Sequence, residues 1–223
     1  MANDSVPARG RMASTLTWIH HGDSTYPSCL DNYLGAKAPK RLATVGNHDF
    51  LKSKALALVC SAKCPGNLIL QTYDLARALC EMGVTIIGGF HSPMERECLR
   101  ILLRGKQPTI LCPGRTLHGM RLPKEYRSHL DEGRLLLVSP FSERHRRPTI
   151  ETALYRNHFV AALADRVFVP YAAPSSKTFE FCRVLISWHK PLYTLANEAN
   201  AQLLALGAQP LDGPRAVSKL SEG

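Results

Sequence analysis

Residues 84–112 read VTIIGGFHSPMERECLRILLRGKQPTILC and contain a complete strand–helix–strand pattern. The β-branched apolar run at 84–89 predicts a buried strand. The segment SPME at 92–95 is a capping box with proline at the first helical position, and it predicts a helix that ends at Gly105. A second apolar run at 108–112 predicts the next strand. Two strands joined by a helix of this length are typical of a βαβ unit with parallel strands.

The same alternation continues on both sides of this unit. Further strands are predicted at 55–59, 134–139, 167–169 and 191–195, and further helices at 68–82, 149–164, 175–189 and 198–206. Strands and helices that alternate in this way predict a Rossmann-like, doubly wound α/β fold, with a mainly parallel sheet and helices on both faces. The stretch 113–133 carries little periodicity, and no element is assigned to it.

A chain of 223 residues fits one domain better than two. We expect residues 1–25 to form a flexible lead-in, residues 26–211 a single domain, and residues 212–223 a disordered tail. Ligands of parallel sheets bind outside the carboxyl ends of the strands, so the residues that follow each predicted strand are the candidates for a binding site.

The formal net charge is +10, which favours polyanionic partners such as nucleic acid, an anionic membrane or a phosphorylated metabolite. Residues 96–147 hold twelve basic and five acidic side chains and therefore carry most of the excess. We expect this basic block to lie along one edge of the sheet, although a solvated surface with a chance surplus would give the same composition.

Cysteine usage and hydropathy predict a cytoplasmic protein with no membrane partner. The seven cysteines contain no CxxC pair, and most lie in apolar runs, which is typical of reduced, buried thiols. Cys60 and Cys64 lack a second pair with zinc spacing, so no metal site is predicted. No apolar run reaches the roughly 18 residues that a membrane span needs, and the N-terminus lacks the apolar core of a signal peptide.

The loop after the first predicted strand reads SAKCPGN at 61–67 and ends where a helix begins. Ser61, Lys63 and Gly66 would suit an anion, because free backbone N–H groups and the positive end of the helix dipole point toward such a loop. The loop contains neither GxGxxG nor a P-loop motif, which argues against a dinucleotide oxidoreductase and a P-loop ATPase. An ordinary turn between strand and helix stays an alternative.

Residues after the other strands have the same character, and each also has an ordinary explanation. His91 follows the second strand and could bind phosphate or be a turn histidine held by its neighbours. The arginine-rich run at 144–147 could contact phosphates or form a solvated loop. Because these loops converge on one edge, they predict a phosphate- or nucleotide-binding site. The predicted residues besides Ser61, Lys63 and Gly66 are Gly88, Gly89, His91, Ser92, Arg115, Arg144, Arg146, Arg147, Arg156, Asn157, Ser175, Ser176 and Lys177.

Several short motifs occur in the order found in one protein family. They are YPSCL at 26–30, VGN at 45–47, LVCSAK at 58–63, GGF at 88–90, GRLLLVSP at 133–140, RNH at 156–158 with ALA at 162–164, and SSKT at 175–178. Over residues 26–210 the chain resembles the Rossmann-like core of the DNA-processing proteins called DprA or Smf. The wider group that this core resembles also includes the LOG-type phosphoribohydrolases.

The resemblance implies single-stranded DNA binding, a homodimer, support for loading a RecA-type recombinase, and a role in DNA uptake and natural transformation. Two features depart from the family's pattern. Ala62 or Lys63 occupies the place of the usual arginine after the first strand, so Lys63 would supply charge without the arginine fork. The family's N-terminal helical domain and C-terminal winged-helix segment are not recognised, so we expect a short, stand-alone variant.

Two functions stay open. The first is non-enzymatic binding of single-stranded DNA, driven by its backbone with little sequence preference, because only Phe90, Phe141 and Tyr171 supply rings near the strand ends. The second is binding or sensing of a nucleotide-derived small molecule. Hydrolysis of the LOG type is disfavoured, since its PGGxGTxxE signature is replaced by APSSKTFE at 173–180. No motif predicts a catalytic residue or a cofactor.

Overall fold

A nine-stranded sheet runs through the computed structural model, which describes residues 15–220. The strands are β1 Thr17–His20, β2 Arg41–Gly46, β3 Ala55–Leu58, β4 Thr85–Gly88, β5 Thr109–Leu111, β6 Leu135–Ser139, β7 Arg166–Phe168, β8 Leu192–Leu195 and β9 Gln209–Leu211. Their spatial order is β1-β2-β6-β5-β4-β3-β7-β8-β9. Seven neighbouring strands are parallel to one another: β6, β5, β4, β3, β7, β8 and β9. Strands β1 and β2 extend this sheet in antiparallel fashion beyond β6.

Helices cover both faces of the sheet. They are α1 Cys29–Leu34, α2 Gly66–Cys80, α3 Pro93–Arg104, α4 Lys124–Asp131, α5 Ile150–Leu163, α6 Lys177–Ser187 and α7 Ala201–Leu206. Residues of α2, α3 and α4 share one hydrophobic core, while residues of α1, α5, α6 and α7 share the other. Successive residues of β3 alternate between the two cores, with Leu56 in the first and Ala57 in the second. The predicted Rossmann-like α/β fold is therefore confirmed.

The predicted ends of the domain are wrong in two places. A flexible lead-in is predicted for residues 1–25, but strand β1 lies within this range. It is ordered because it pairs with β2 over four residues. A 3₁₀ helix, Pro214–Leu220, lies within the predicted disordered tail. Its side chains Val217 and Leu220 are buried against the core that holds α2, which explains why the segment is ordered. The rest of the predicted lead-in and tail, residues 1–14 and 221–223, falls outside the described residues.

The chain reverses its direction of winding between β3 and β7, which are neighbours in the sheet. The helix after β3, α2, packs on one face, and the helix after β7, α6, packs on the other. The two connections therefore diverge and leave a crevice at the carboxyl ends of these strands, where ligands of doubly wound sheets bind. Within residues 15–220, no helix is both long and apolar enough to cross a bilayer.

Candidate functional site

Hydrogen bonds close the bottom of the crevice between β3 and β7. The Ser61 amide donates to the carbonyl of Tyr171 at 3.1 Å, and the Ala173 amide donates to the Ser61 hydroxyl oxygen, also at 3.1 Å. The hydroxyl oxygens of Ser61 and Ser176 lie 3.4 Å apart. Because Ser61 is buried and already has these partners, it holds the two loops together instead of facing a ligand.

Helix α2 begins at this edge without a side-chain cap. The Ser92 hydroxyl caps α3, and the Ser176 hydroxyl caps α6 by accepting from the Phe179 amide at 3.1 Å. At the start of α2, Pro65 offers no side-chain cap. The first amides of α2, beginning with the exposed Gly66, therefore remain free for an anion, and the exposed Lys63 lies three residues before it.

A buried carboxylate joins the loops after β3 and β4. Oε1 of Glu95 accepts a hydrogen bond from the Cys60 amide at 2.8 Å, and Oε2 accepts from the His91 and Ser92 amides at 2.9 Å each. The predicted capping box is confirmed, since the Glu95 amide donates to the Ser92 hydroxyl at 3.2 Å. Sequence reasoning assigns Glu95 only this local role, because nothing in the sequence reveals its bond to Cys60.

Arg156 lies behind the loops instead of on the open surface. Its side chain is buried, Nη1 donates to the Cys112 carbonyl at 3.3 Å, and Nε donates to Oδ1 of Asn157 at 2.9 Å. A Cβ atom on Gly89 would lie 1.5 Å from that Nη1, so only glycine leaves space for the guanidinium. Burial lowers the pKa of Arg156, and the nearby Glu95 carboxylate opposes this shift. Arg156 therefore supports the backbone of the site.

Two cysteines share the loop after β3. The Cys60 thiol is buried, and its sulfur lies 3.5 Å from the carbonyl oxygen of Tyr171. A hydrogen bond from the Cys60 thiol lowers the pKa of the half-buried Cys64, while the pKa of Cys60 itself is raised. A larger thiolate fraction on Cys64 makes it the more reactive of the two thiols.

An open cavity of about 600 Å³ lies on the carboxyl edge, between the loop after β4 and the first turns of α5 and α6. We call it the edge cavity, and its lining residues are His91, Pro148, Thr149, Ile150, Ala153, Leu154, Asn157 and Lys177. It brings together three of the predicted site residues, His91, Asn157 and Lys177. The apolar wall from α5, including Ile150 and Leu154, was not predicted from the sequence.

The predicted site residues differ in how far they can reach a ligand. Exposed residues are Lys63, Gly66, His91, Arg144, Arg146, Arg147, Ser175 and Lys177. Partly exposed residues are Gly89, Arg115, Asn157 and Ser176. Buried residues are Ser61, Gly88, Ser92 and Arg156. The first two groups therefore supply the surface, and the third group shapes it from beneath.

The basic block at 96–147 does not lie along one edge, contrary to the prediction. Helix α3 starts at the carboxyl edge and ends at the opposite, amino edge, and it carries Arg104 there. Arg134 also lies at the amino edge, where Nη1 donates to the carbonyls of Leu103 and Gly105. The exposed arginines of the 144–147 run follow the carboxyl end of β6, so only part of the charge excess lies at the crevice edge.

The fold has counterparts in known proteins. A model of the family described as DNA recombination-mediator protein A matches residues 17–218. The chain belongs to this family. The predicted resemblance to DprA and Smf proteins is thereby confirmed, and a search of curated proteins finds no match.

Solved structures of two family members share the fold. DNA processing protein A from Streptococcus pneumoniae has a TM-score of 0.76 at 20% identity, covering 92% of this chain and 74% of that chain. DNA processing protein A from Helicobacter pylori, described for its single-stranded DNA binding mode, has a TM-score of 0.73 at 23% identity. The match covers 94% of this chain and 99% of that chain. A molybdenum cofactor binding protein from Rippkaea orientalis is more distant, with a TM-score of 0.54 at 11% identity. This match covers 76% of this chain and 95% of that chain.

Proposed function

We propose that the chain binds single-stranded DNA along the carboxyl edge of its sheet. Its DNA-processing role rests on membership of the recombination-mediator family. The observation that carries the binding mode is the set of exposed cations around the edge cavity. Lys177 lines this cavity, and Arg146 and Arg147 lie on the adjacent loop that leads into α5. Together with the uncapped start of α2 beside Lys63, these groups suit a row of phosphates.

The side chains at this edge favour phosphates over bases. Phe90 and Phe141 are buried, and Tyr171 is only partly exposed, so the rings expected near the strand ends offer little surface for stacking. Phosphate contacts carry no sequence information directly. The chain should therefore bind single strands with little sequence preference at this edge.

The wider role follows from the family and stays part of the proposal. We infer that the chain acts by binding and not by catalysis, in the cytoplasm, as a homodimer. In that role it would support a RecA-type recombinase on single strands during recombination, DNA uptake and natural transformation.

A salt titration of DNA binding tests the proposal. Fluorescence anisotropy with a labelled oligothymidylate should show a linear fall of log affinity with log salt, because cations on the protein displace counterions from the DNA. The double variant Arg146→Ala/Arg147→Ala should reduce the slope by about 0.7 for each phosphate that it no longer neutralises, and Lys63→Ala should act in the same direction.

The matched control changes two cations at the amino edge, Arg104→Ala/Lys106→Ala, which are both exposed. This variant removes the same charge as the arginine pair and should leave the slope nearly unchanged. Equal slopes for the two double variants would show that the carboxyl edge is not the binding surface.

A nucleotide-derived small molecule is the second candidate ligand. The edge cavity, at about 600 Å³, has the volume of a small-molecule site, and DNA alone would not require a concave site. If a nucleotide is the ligand, one member of a nucleotide panel should raise the melting temperature and displace the oligothymidylate. A panel that does neither would remove this candidate and leave DNA binding in place.

A further inference from the structure

A second cavity, of about 710 Å³, opens on the face of the sheet that carries α1, α5 and α6. We call it the aromatic groove, because four of its lining side chains are rings. Its lining residues are Tyr33, Leu34, Ala36, Lys37, Glu151, Leu154, Tyr155, His158, Val184 and Trp188. This groove plays no part in the phosphate contacts described above.

The rings of the groove form a cluster that is only partly buried. The centroid of Trp188 lies 5.1 Å from that of Tyr33 and 5.9 Å from that of His158. Tyr155 is fixed beside them, since its hydroxyl donates to the Lys37 carbonyl at 2.7 Å. Each of these four rings keeps some exposed surface. Fixed rings with partly open surfaces are the stacking platforms on which unpaired bases bind.

The aromatic groove and the edge cavity share one lining residue. Leu154 lines both of them, and the intervening surface belongs to the first two turns of α5. Ile150, one turn before Leu154 on the same helix face, is 78% exposed. Ile150 lines the edge cavity and Leu154 lines both cavities, so a strand that passes from one cavity to the other would cross the first turns of α5.

The charges around the groove suit a polyanion. Residues 35–40 carry Lys37 and Lys40 and no carboxylate, and Lys37 lines the groove. Nζ of Lys190 lies 3.9 Å from the centroid of the Tyr33 ring, which places a further cation behind the cluster. Glu151 is the carboxylate that lines the groove, and it lies on the side nearest the edge cavity.

We propose that single-stranded DNA leaving the edge cavity crosses Leu154 and stacks a base in the aromatic groove at Trp188. This extension rests on the proposed function, because the edge cavity supplies the start of the path. Duplex DNA would not bind the groove in this way, since its base faces are stacked within the helix. The groove would thus lengthen the binding site and favour single strands over duplexes.

Intrinsic fluorescence provides a direct test, because the chain has two tryptophans, Trp18 and Trp188. Trp18 lies on β1 and packs against the core on the opposite face from the groove, so Trp18→Phe leaves Trp188 as the reporter. An oligothymidylate of about 16 nucleotides should quench Trp188, whereas one of about 4 nucleotides should bind the edge without quenching it. Anisotropy of the same oligonucleotides, measured in parallel, reports binding itself.

Matched lysine variants extend the test to affinity. Lys37→Gln should lower the affinity for the longer oligonucleotide by about threefold and leave the affinity for the shorter one unchanged. The control is Lys219→Gln, at an exposed lysine on the opposite face, and it should change neither affinity. Binding of the longer oligonucleotide without quenching would overturn the extension and leave the proposed function intact. If neither oligonucleotide binds, both the proposed function and the extension are wrong.

Discussion

Replacing Glu95 by glutamine is expected to lower the free energy of unfolding by about 2–4 kcal/mol, although the two side chains have almost the same shape. The buried carboxylate accepts from three backbone amides, those of Cys60, His91 and Ser92. A carboxamide has one accepting oxygen, so its NH₂ group must face at least one of these donors. That amide would then be buried without a partner, beside a second donor.

The same variant should loosen the loops after β3 and β4 selectively. Denaturant unfolding gives the change in stability, and hydrogen exchange at the amides of Cys60 and His91 reports the loops. The control is Glu97→Gln on the same helix, where the carboxylate is more exposed and pairs with Arg100 at 2.9 Å. This change should lower the free energy of unfolding by less than about 1 kcal/mol. Similar losses for both variants would contradict the bridging role of Glu95.

The sequence is sufficient to predict the central strands and most of the long helices. Each of β3 to β8 is an apolar run with turn residues near its ends, and α3 begins at a capping box, so local signals agree with the fold. Helix α4 is not predicted because Leu130 is its one buried residue, which leaves no apolar stripe to detect. Strand β9 is not predicted because it has three residues and contains a proline.

The candidate site is predictable only where its residues act through their own loop. His91 and Lys177 follow strands and do line the edge cavity. Arg156 is selected for its charge, but its burial depends on the missing side chain of Gly89, 67 positions earlier in the chain. Pairings of this kind depend on tertiary contacts, and a single sequence contains no periodic or local signal for them.

The basic block shows the same limit for electrostatics. Counting charge along the chain locates the excess correctly in the sequence, but a crossover helix carries its two ends to opposite edges of the sheet. Arg96 and Arg104, both on α3, therefore lie near opposite edges, though they are eight residues apart in the sequence. The charge of the ligand edge therefore depends on the residues near the carboxyl ends of the strands, and a continuous segment of sequence does not give it.

The antiparallel extension depends on Gly46, and Gly46→Ala should destabilise the protein by about 3 kcal/mol. Gly46 ends β2 and is paired with Leu136 of β6, the contact that joins the extension to the parallel strands. Its φ of +114° is unfavourable for any side chain, and a Cβ atom would lie 2.3 Å from the Leu135 carbonyl oxygen. Because that oxygen belongs to the backbone of a central strand, it cannot move aside cheaply.

Gly22→Ala is the matched control, since Gly22 has a similar φ of +96° but nothing within 4 Å of its Cβ position. This variant should cost about 1 kcal/mol, from backbone strain alone. In thermal unfolding the two variants should then differ by about 4–8 °C for a chain of this size. The difference isolates the clash with β6 from the conformational preference of glycine. Equal melting temperatures would mean that β2 does not approach β6 at Gly46, and the antiparallel extension would then be attached in another way.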